Sequence, residues 1–230
     1  SRGAGLAVNG TIGLDAYDYA RDTRAAGVRP RGSLTLTSTP IEHWLHIDAS
    51  AAADRQTQDP FGARPAGAAS PNEFTQMRYH LTPYIQHAFT PDLNFLARDD
   101  YSISRQVSQL AVVDPNQPRD TRANDIVVRL EQRPIPFGWG LEATQQRSRL
   151  GDSDAGNFDQ TAYRAYALYA LTPQLSLGAS VGTERSEFQM TDRRDSIRGV
   201  RMEWHPSERS TVLGNLESHF YGLGGTFKLS

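Results

Sequence analysis

The chain has 230 residues, a formal net charge of −2 and no cysteine, with a mean hydropathy of −0.55. Those figures leave room for one large β domain or two small ones. They give no electrostatic footprint for nucleic acid, and they exclude a disulfide framework and a thiolate metal site. No apolar run approaches the roughly 18 residues of a transmembrane helix, which excludes a helical membrane protein but not a transmembrane β-barrel, whose loops and lumen are polar.

The cations are nearly all arginine, Lys228 being the sole lysine. A GC-rich genome accounts for that bias. The sharper reading is a choice of guanidinium for bidentate contact with carboxylate or phosphate. The chain opens at Ser1 with no initiator Met and no charged-then-apolar leader, which reads as a processed or truncated start.

In chain order, one unit recurs: a short Pro-containing turn, an alternating strand, then usually a polar, Arg-bearing segment. It occurs in "STPIEHWLHIDASAAADR" from Ser38, "FTPDLNFLARDDYSISR" from Phe89 and "RPIPFGWGLEATQQRSR" from Arg133. It returns in "LTPQLSLGASVGTERSE" from Leu171 and "HPSERSTVLGNLESHF" from His205. Proline presets φ for a tight turn and removes a ladder donor, so each one marks a strand end.

Reading outward from the turns predicts twelve strands near 6–18, 31–38, 42–54, 74–89, 93–105, 124–133, 137–148, 160–171, 174–187, 196–204, 209–220 and 223–230. Long polar connections are expected at 19–30, 55–73, 106–123, 149–159 and 188–195. With antiparallel strands, the short turns fall at one end and nearly every long loop at the other. That asymmetry suits an up-and-down β-barrel of the outer-membrane type better than a sandwich, whose loops mix at both ends.

Within "FTQMRYHLTPYIQHAF", Met77, Tyr79, Leu81, Pro83, Ile85 and Phe89 alternate with Gln76, Arg78, His80, Thr82, Tyr84 and Gln86. The next strand sets Leu93, Phe95, Ala97, Tyr101 and Ile103 against Asn94, Arg98, Asp100, Ser102 and Ser104. This period of two gives every strand an apolar and a polar face. The apolar face, represented by Met77, Leu81, Ile85, Phe95, Leu175, Leu177 and Val212, is expected to meet lipid. The polar face is expected to line a lumen with Arg78, Arg98, Asp100, Arg129, Glu131, Glu142, Arg164, Arg201 and Glu203. On it, Ser176 is expected to tolerate even arginine. Trp44, Phe95, Phe137, Trp139, Tyr169 and Trp204 lie near the short turns, where an aromatic girdle at a membrane interface belongs.

The segment from about Phe74 onward resembles the outer-membrane β-barrel proteins associated with PEP-CTERM/exopolysaccharide systems of Gram-negative bacteria. The similarity is carried by "TPYIQHAF", "RLEQRPIPFGWGLEATQQRSR", "YALTPQLSLGASVGTE" and "GVRMEWHPSERSTVLGNLESHFYG", over about the last two thirds of the chain. It implies a single barrel domain over 1–230 in the bacterial outer membrane and, by association, a role near polysaccharide secretion. It carries no functional residues.

Catalytic and metal-binding signatures are weak. "GLGG" follows no strand-to-helix pattern. His80 and His87 are seven apart on a strand and face opposite sides, as do His43 and His46. "DSDAGNFD", from Asp152, lacks the spacing of an EF-hand and reads as an external loop. No spacing singles out a Ser/His or Asp/His set, so neither an enzyme nor a cofactor is expected. The expected function is passage of a polar solute or saccharide, the alternative being a non-conducting scaffold that docks secretion or cell-surface partners. The expected partners are the lipid bilayer and lipopolysaccharide, with polysaccharide or secretion proteins beyond them. The last segment, "GLGGTFKLS", ends without a closing aromatic residue, which predicts that further strands or a second chain complete the barrel.

Overall fold

The computed structural model describes residues 5–17, 27–42, 44–57, 73–107, 120–151, 156–188, 191–207, 210–219 and 222–229. Twelve strands form there: β1 (Gly5–Tyr17), β2 (Gly27–Ile41), β3 (Leu45–Thr57), β4 (Glu73–Ala88), β5 (Leu93–Val107), β6 (Asp120–Gln132), β7 (Phe137–Leu150), β8 (Phe158–Thr172), β9 (Leu175–Phe188), β10 (Thr191–Ser207), β11 (Ser210–His219) and β12 (Gly222–Leu229). They hydrogen-bond in sequence order, β1 to β12, as one up-and-down sheet. The fold is therefore all-β and barrel-like, with each expected strand present.

The short turns explain the recurring Thr-Pro pairs. In "TPDL" the Thr90 hydroxyl accepts hydrogen bonds from the backbone N–H of Asp92 (3.3 Å) and Leu93 (3.0 Å). In "TPQL" Thr172 accepts from Gln174 (3.2 Å) and Leu175 (3.0 Å) in the same way. Proline fixes the bend while threonine satisfies the two N–H groups that the turn frees. Pro40 and Pro206 fall instead at register shifts, between Ser38 and Ile41 and between Trp204 and Ser207. There a missing donor costs the ladder least.

One expected loop is mostly strand. The segment 188–195 was to be a long polar connection, yet β10 begins at Thr191, directly opposite Phe188. Its charges pair rather than repel: Arg185 donates from Nε and Nη2 to the two carboxylate oxygens of Asp192, both at 2.9 Å. This bidentate pair spans the two strands and extends the hairpin. Similarly, Phe158 and Asp159 belong to β8 rather than to the expected 149–159 loop. His43, Asp152 to Ala155 and most of the other expected long connections lie outside the described residues.

The chain divides into two compact units, Ser1–Pro83 with Asp100–Ala123 and Ser148–Gly156, and Tyr84–Asp99 with Asn124–Arg147 and Asn157–Ser230. In the first, β1 to β3 present Leu6, Val8, Ile12 and Leu14 to solvent, the last two 82% and 69% exposed. The residues opposite them and along β3 are small or aliphatic: Leu34, Leu36, Ala49 and Ala51. The other face carries Asp15 with Arg31 (3.4 Å), Asp54 with Arg78, and His80 with Asp100.

In the second unit the inversion is sharpest on β9. Leu177 and Val181 are 43% and 61% exposed, whereas Ser176, Ser180, Glu184 and Ser186 are all buried. A soluble fold hides its apolar face. This sheet buries the polar one.

Candidate functional site: the buried polar face of β6 to β11

The second unit's polar face is a continuous network of charged and hydroxyl side chains. Arg129 on β6 donates from Nε and Nη2 to one oxygen of Glu142 on β7, at 2.9 and 2.6 Å. The other Glu142 oxygen lies 3.5 Å from Arg164 Nη1 on β8. Arg164 Nε in turn donates to Glu217 on β11 (3.2 Å), and Ser180 on β9 donates to the second Glu217 oxygen (3.1 Å). His219 places Nδ1 3.0 Å from Glu184 and Nε2 3.6 Å from Glu217, so each ring nitrogen faces a carboxylate. Gln160 Nε2 donates to Glu184 at 3.3 Å. A parallel branch runs from Arg201, whose guanidinium lies 4.5 Å above the Tyr166 ring, through the Tyr166 hydroxyl to Glu131 (2.9 Å).

These reaches require curvature. β8 and β11 are three strand spacings apart, about 14 Å across a flat sheet. Arg164 and Glu217 meet because this part of the sheet bends towards its polar face. They also need low ground to cross. β9 supplies it with Ser176, Gly178, Ser180 and Gly182, and Gly182 stands directly opposite Arg164. Gly199, on β10, would carry a Cβ 2.6 Å from Glu217 Cγ and 2.7 Å from Ser180 Oγ. On β7, a Cβ at Gly140 would collide with the Tyr166 ring. The alternation of serine and glycine on β9 is thus the floor under long side chains from its neighbours.

The burial is deep. Glu184 is 1% exposed and Glu217 5%, beside Ile197 at 0% and Leu168 at 4%. Among the described residues no buried side-chain nitrogen or oxygen lacks a partner. Charges at such depth persist only when paired, and breaking one pair is costly. Chemically, the cluster is a lock for the sheet's curvature. No group of three or more His, Asp or Glu residues suited to a metal ion occurs among the described residues.

Of the expected lining residues, the structure brings Arg129, Glu131, Glu142, Arg164 and Arg201 into this cluster. Glu203 stands apart, 3.3 Å from His205. Arg78 pairs with Asp54, and Asp100 with His80, on the polar face of the first unit. Arg98 is exposed on the polar face of β5. Sequence reasoning missed Tyr166, Glu184, Glu217 and His219. The signal for Glu184 was present, since it continues the parity of Ser176 to Gly182.

Two expectations fail. Ser176 is 8% exposed, not a wet position with space for arginine, because the neighbouring strands fold over β9's small residues. Val212 has the outward parity but is only 6% exposed; it stands between Trp204 and Leu229 in the ladder, whose bulk covers it. One carboxylate also breaks the apolar face: Asp99, four residues beyond Phe95, accepts a 2.8 Å hydrogen bond from Asn124 Nδ2.

The aromatic residues at the short turns do project outward, with Trp44 and Trp204 each 42% exposed, Phe137 55% and Tyr169 54%. Phe89 and Phe95 associate there, with ring centroids 6.2 Å apart. A second aromatic level was not expected. Tyr163 is 58% exposed on the same face of β8 as Tyr169, and six residues along a strand is roughly 20 Å. Above Tyr163 the outward face turns charged, with Asp159 and Arg147 paired at 2.8 Å and Arg185 bound to Asp192. No family model matches the chain, and no curated protein is significantly similar to it.

Proposed function

We propose that the chain is a bacterial outer-membrane protein of barrel-like fold, embedded through its outward apolar band, and that its polar face serves the passage of a polar solute. The observation that carries the membrane reading is the inversion on β9, with Leu177 and Val181 exposed and Ser180 and Glu184 buried. Exposed apolar residues in such numbers are costly in water and favourable in hydrocarbon. The outward aromatic residues gathered at the short turns, Trp44, Phe137, Tyr169 and Trp204, fit an interfacial girdle.

The passage reading draws on the first unit. Arg78 and Asp54 keep 54% and 47% of their side chains accessible, and His80 keeps 47%. Such half-wet charges of both signs suit a water-filled route for a polar molecule. A role beside an exopolysaccharide secretion system rests on the resemblance of the later two thirds of the chain. The sealed network of β6 to β11 favours a second reading, a non-conducting barrel that scaffolds partners.

Single-channel recording on purified, folded protein in planar bilayers separates the two. Passage gives discrete conductance steps that a polar saccharide partly blocks. A silent bilayer, with insertion verified by protease protection, leaves the scaffold.

A further inference from the structure

The outward face of β9 to β12 carries a feature that a plain membrane-facing wall does not need. A groove of about 590 Å³ runs there, walled by Leu177, Val200, Met202, Leu216 and Phe227. Its floor is low because Gly214 lies directly between Met202 and Phe227 in the ladder, and Gly225 lies opposite Leu216. A Cβ at Gly214 would sit 3.5 Å from the nearest atom, Met202 Cε, so glycine is not forced by crowding. Its absence of a side chain keeps the groove open.

At the upper mouth stands Arg198, on the same strand face as Val200 and two residues further towards the β9–β10 connection. It is exposed, and its guanidinium enters none of the ion pairs found among the described residues of this face. Directly opposite are Val181 on β9 and Ser218 on β11, while Ser196, the next outward residue, faces Thr183. A cation ringed by three hydroxyl-bearing residues tops an apolar trough. Of the other outward arginines nearby, Arg147 and Arg185 are engaged by Asp159 and Asp192, and Arg194 stands beyond Ser196 at the charged end of β10, opposite Arg185.

We propose that this groove binds one anionic lipid, its acyl chain in the trough and its phosphate on Arg198, Ser218 and Ser196. The inference rests on the membrane reading above. Charge complementarity selects the occupant: guanidinium with neighbouring hydroxyls matches a phosphate oxyanion, and an apolar trough below it matches hydrocarbon. Arg198 lies one outward position below Tyr163 and Thr183, and its long side chain can carry the guanidinium towards the charged end of the sheet. A solvated arginine with no ligand would not need the trough, and a generic lipid wall would not need the arginine.

The test uses the full chain inserted into phosphatidylcholine bilayers containing a trace of spin-labelled phosphatidic acid. The wild-type protein immobilises phosphatidic acid in preference to spin-labelled phosphatidylcholine. Arg198→Gln weakens that preference about tenfold, the loss expected for one charge-assisted contact. Gly214→Leu, which fills the trough, reduces immobilisation of the chain while leaving the β content unchanged. Millimolar inorganic phosphate does not displace the lipid; displacement would make this a free-anion site and overturn the proposal. Unchanged lipid selectivity in both variants would also overturn it, as would self-association of the chain that excludes lipid from the groove. Failure of the wild-type chain to insert, read by protease protection, would defeat the membrane reading itself and is recorded separately.

Discussion

Replacing Glu217 with leucine removes the carboxylate that joins three strands. Glu217 is 5% exposed and accepts from Arg164 Nε at 3.2 Å and Ser180 Oγ at 3.1 Å, with His219 Nε2 3.6 Å away. Losing one partner of a buried ion pair costs about 3–5 kcal/mol when the other charge is stranded. Arg164 is not fully stranded, since Glu142 remains 3.5 Å from its Nη1, and His219 keeps Glu184 at 3.0 Å. The expected cost therefore sits at the low end, about 3 kcal/mol. Glu217→Gln retains an acceptor for Ser180 and loses mainly Coulomb attraction, so about 1–2 kcal/mol is expected. The assay is equilibrium urea unfolding of the inserted protein, followed by tryptophan fluorescence. A double-mutant cycle with Arg164→Met isolates the pair, and the two changes should couple by at least about 1.5 kcal/mol. Additivity within about 0.5 kcal/mol would refute the idea that these side chains act together across β9 and β10.

Gly140→Val should destabilise by about 1–3 kcal/mol, because its side chain displaces the Tyr166 ring and opens the Tyr166–Glu131 hydrogen bond; the same unfolding assay reads it. Val181→Arg, four residues from the girdle level towards the charged end of β9, should cost about 2–4 kcal/mol, and Leu177→Arg, directly opposite Tyr169 in the girdle, about 0–1, as refolding titrations into liposomes would measure. Thr172→Val removes the acceptor for two turn N–H groups and should cost about 1 kcal/mol, with faster hydrogen exchange at Gln174 and Leu175. At the charged end of β9 and β10, the Arg185 hydrogen bond holds the Asp192 carboxyl below its ordinary value. A carboxylate lowered in the folded state stabilises above the unfolded carboxyl value and loses that contribution as pH falls through the folded one. Hydrogen exchange near Asp192 should accelerate only in that acid range, and Arg185→Gln should remove the dependence.

The period of two made the strands and their two faces legible, since parity along a strand is fixed by backbone geometry. It did not reveal which face is buried. Ser176 and Ser180 have the composition of a wetted surface, yet both are buried, Ser180 against Glu217 arriving from β11. Nor could periodicity show that Arg164 skips two strands to reach Glu217, because that contact depends on the curvature of the sheet. Thr191 to Asp195 read as a loop from their charge, whereas the Arg185–Asp192 pair makes the same residues a strand. Asp99 defeats the pattern outright, an acid on an apolar face whose partner, Asn124, is distant in sequence. The aromatic residues near the turns were legible from their proximity to proline, but Tyr163 was not, since no turn marks its level.

Because the chain has no native cysteine, the outward face can be probed one residue at a time. Leu177→Cys and Val200→Cys, at positions 43% and 59% exposed, and Arg98→Cys on the polar face, would each carry an environment-sensitive fluorophore after reconstitution. Brominated acyl chains should quench the probes at 177 and 200 while aqueous iodide does not, with the opposite pattern at 98. Iodide quenching at 177 and 200 without any response to brominated lipid would contradict the membrane placement of the apolar face.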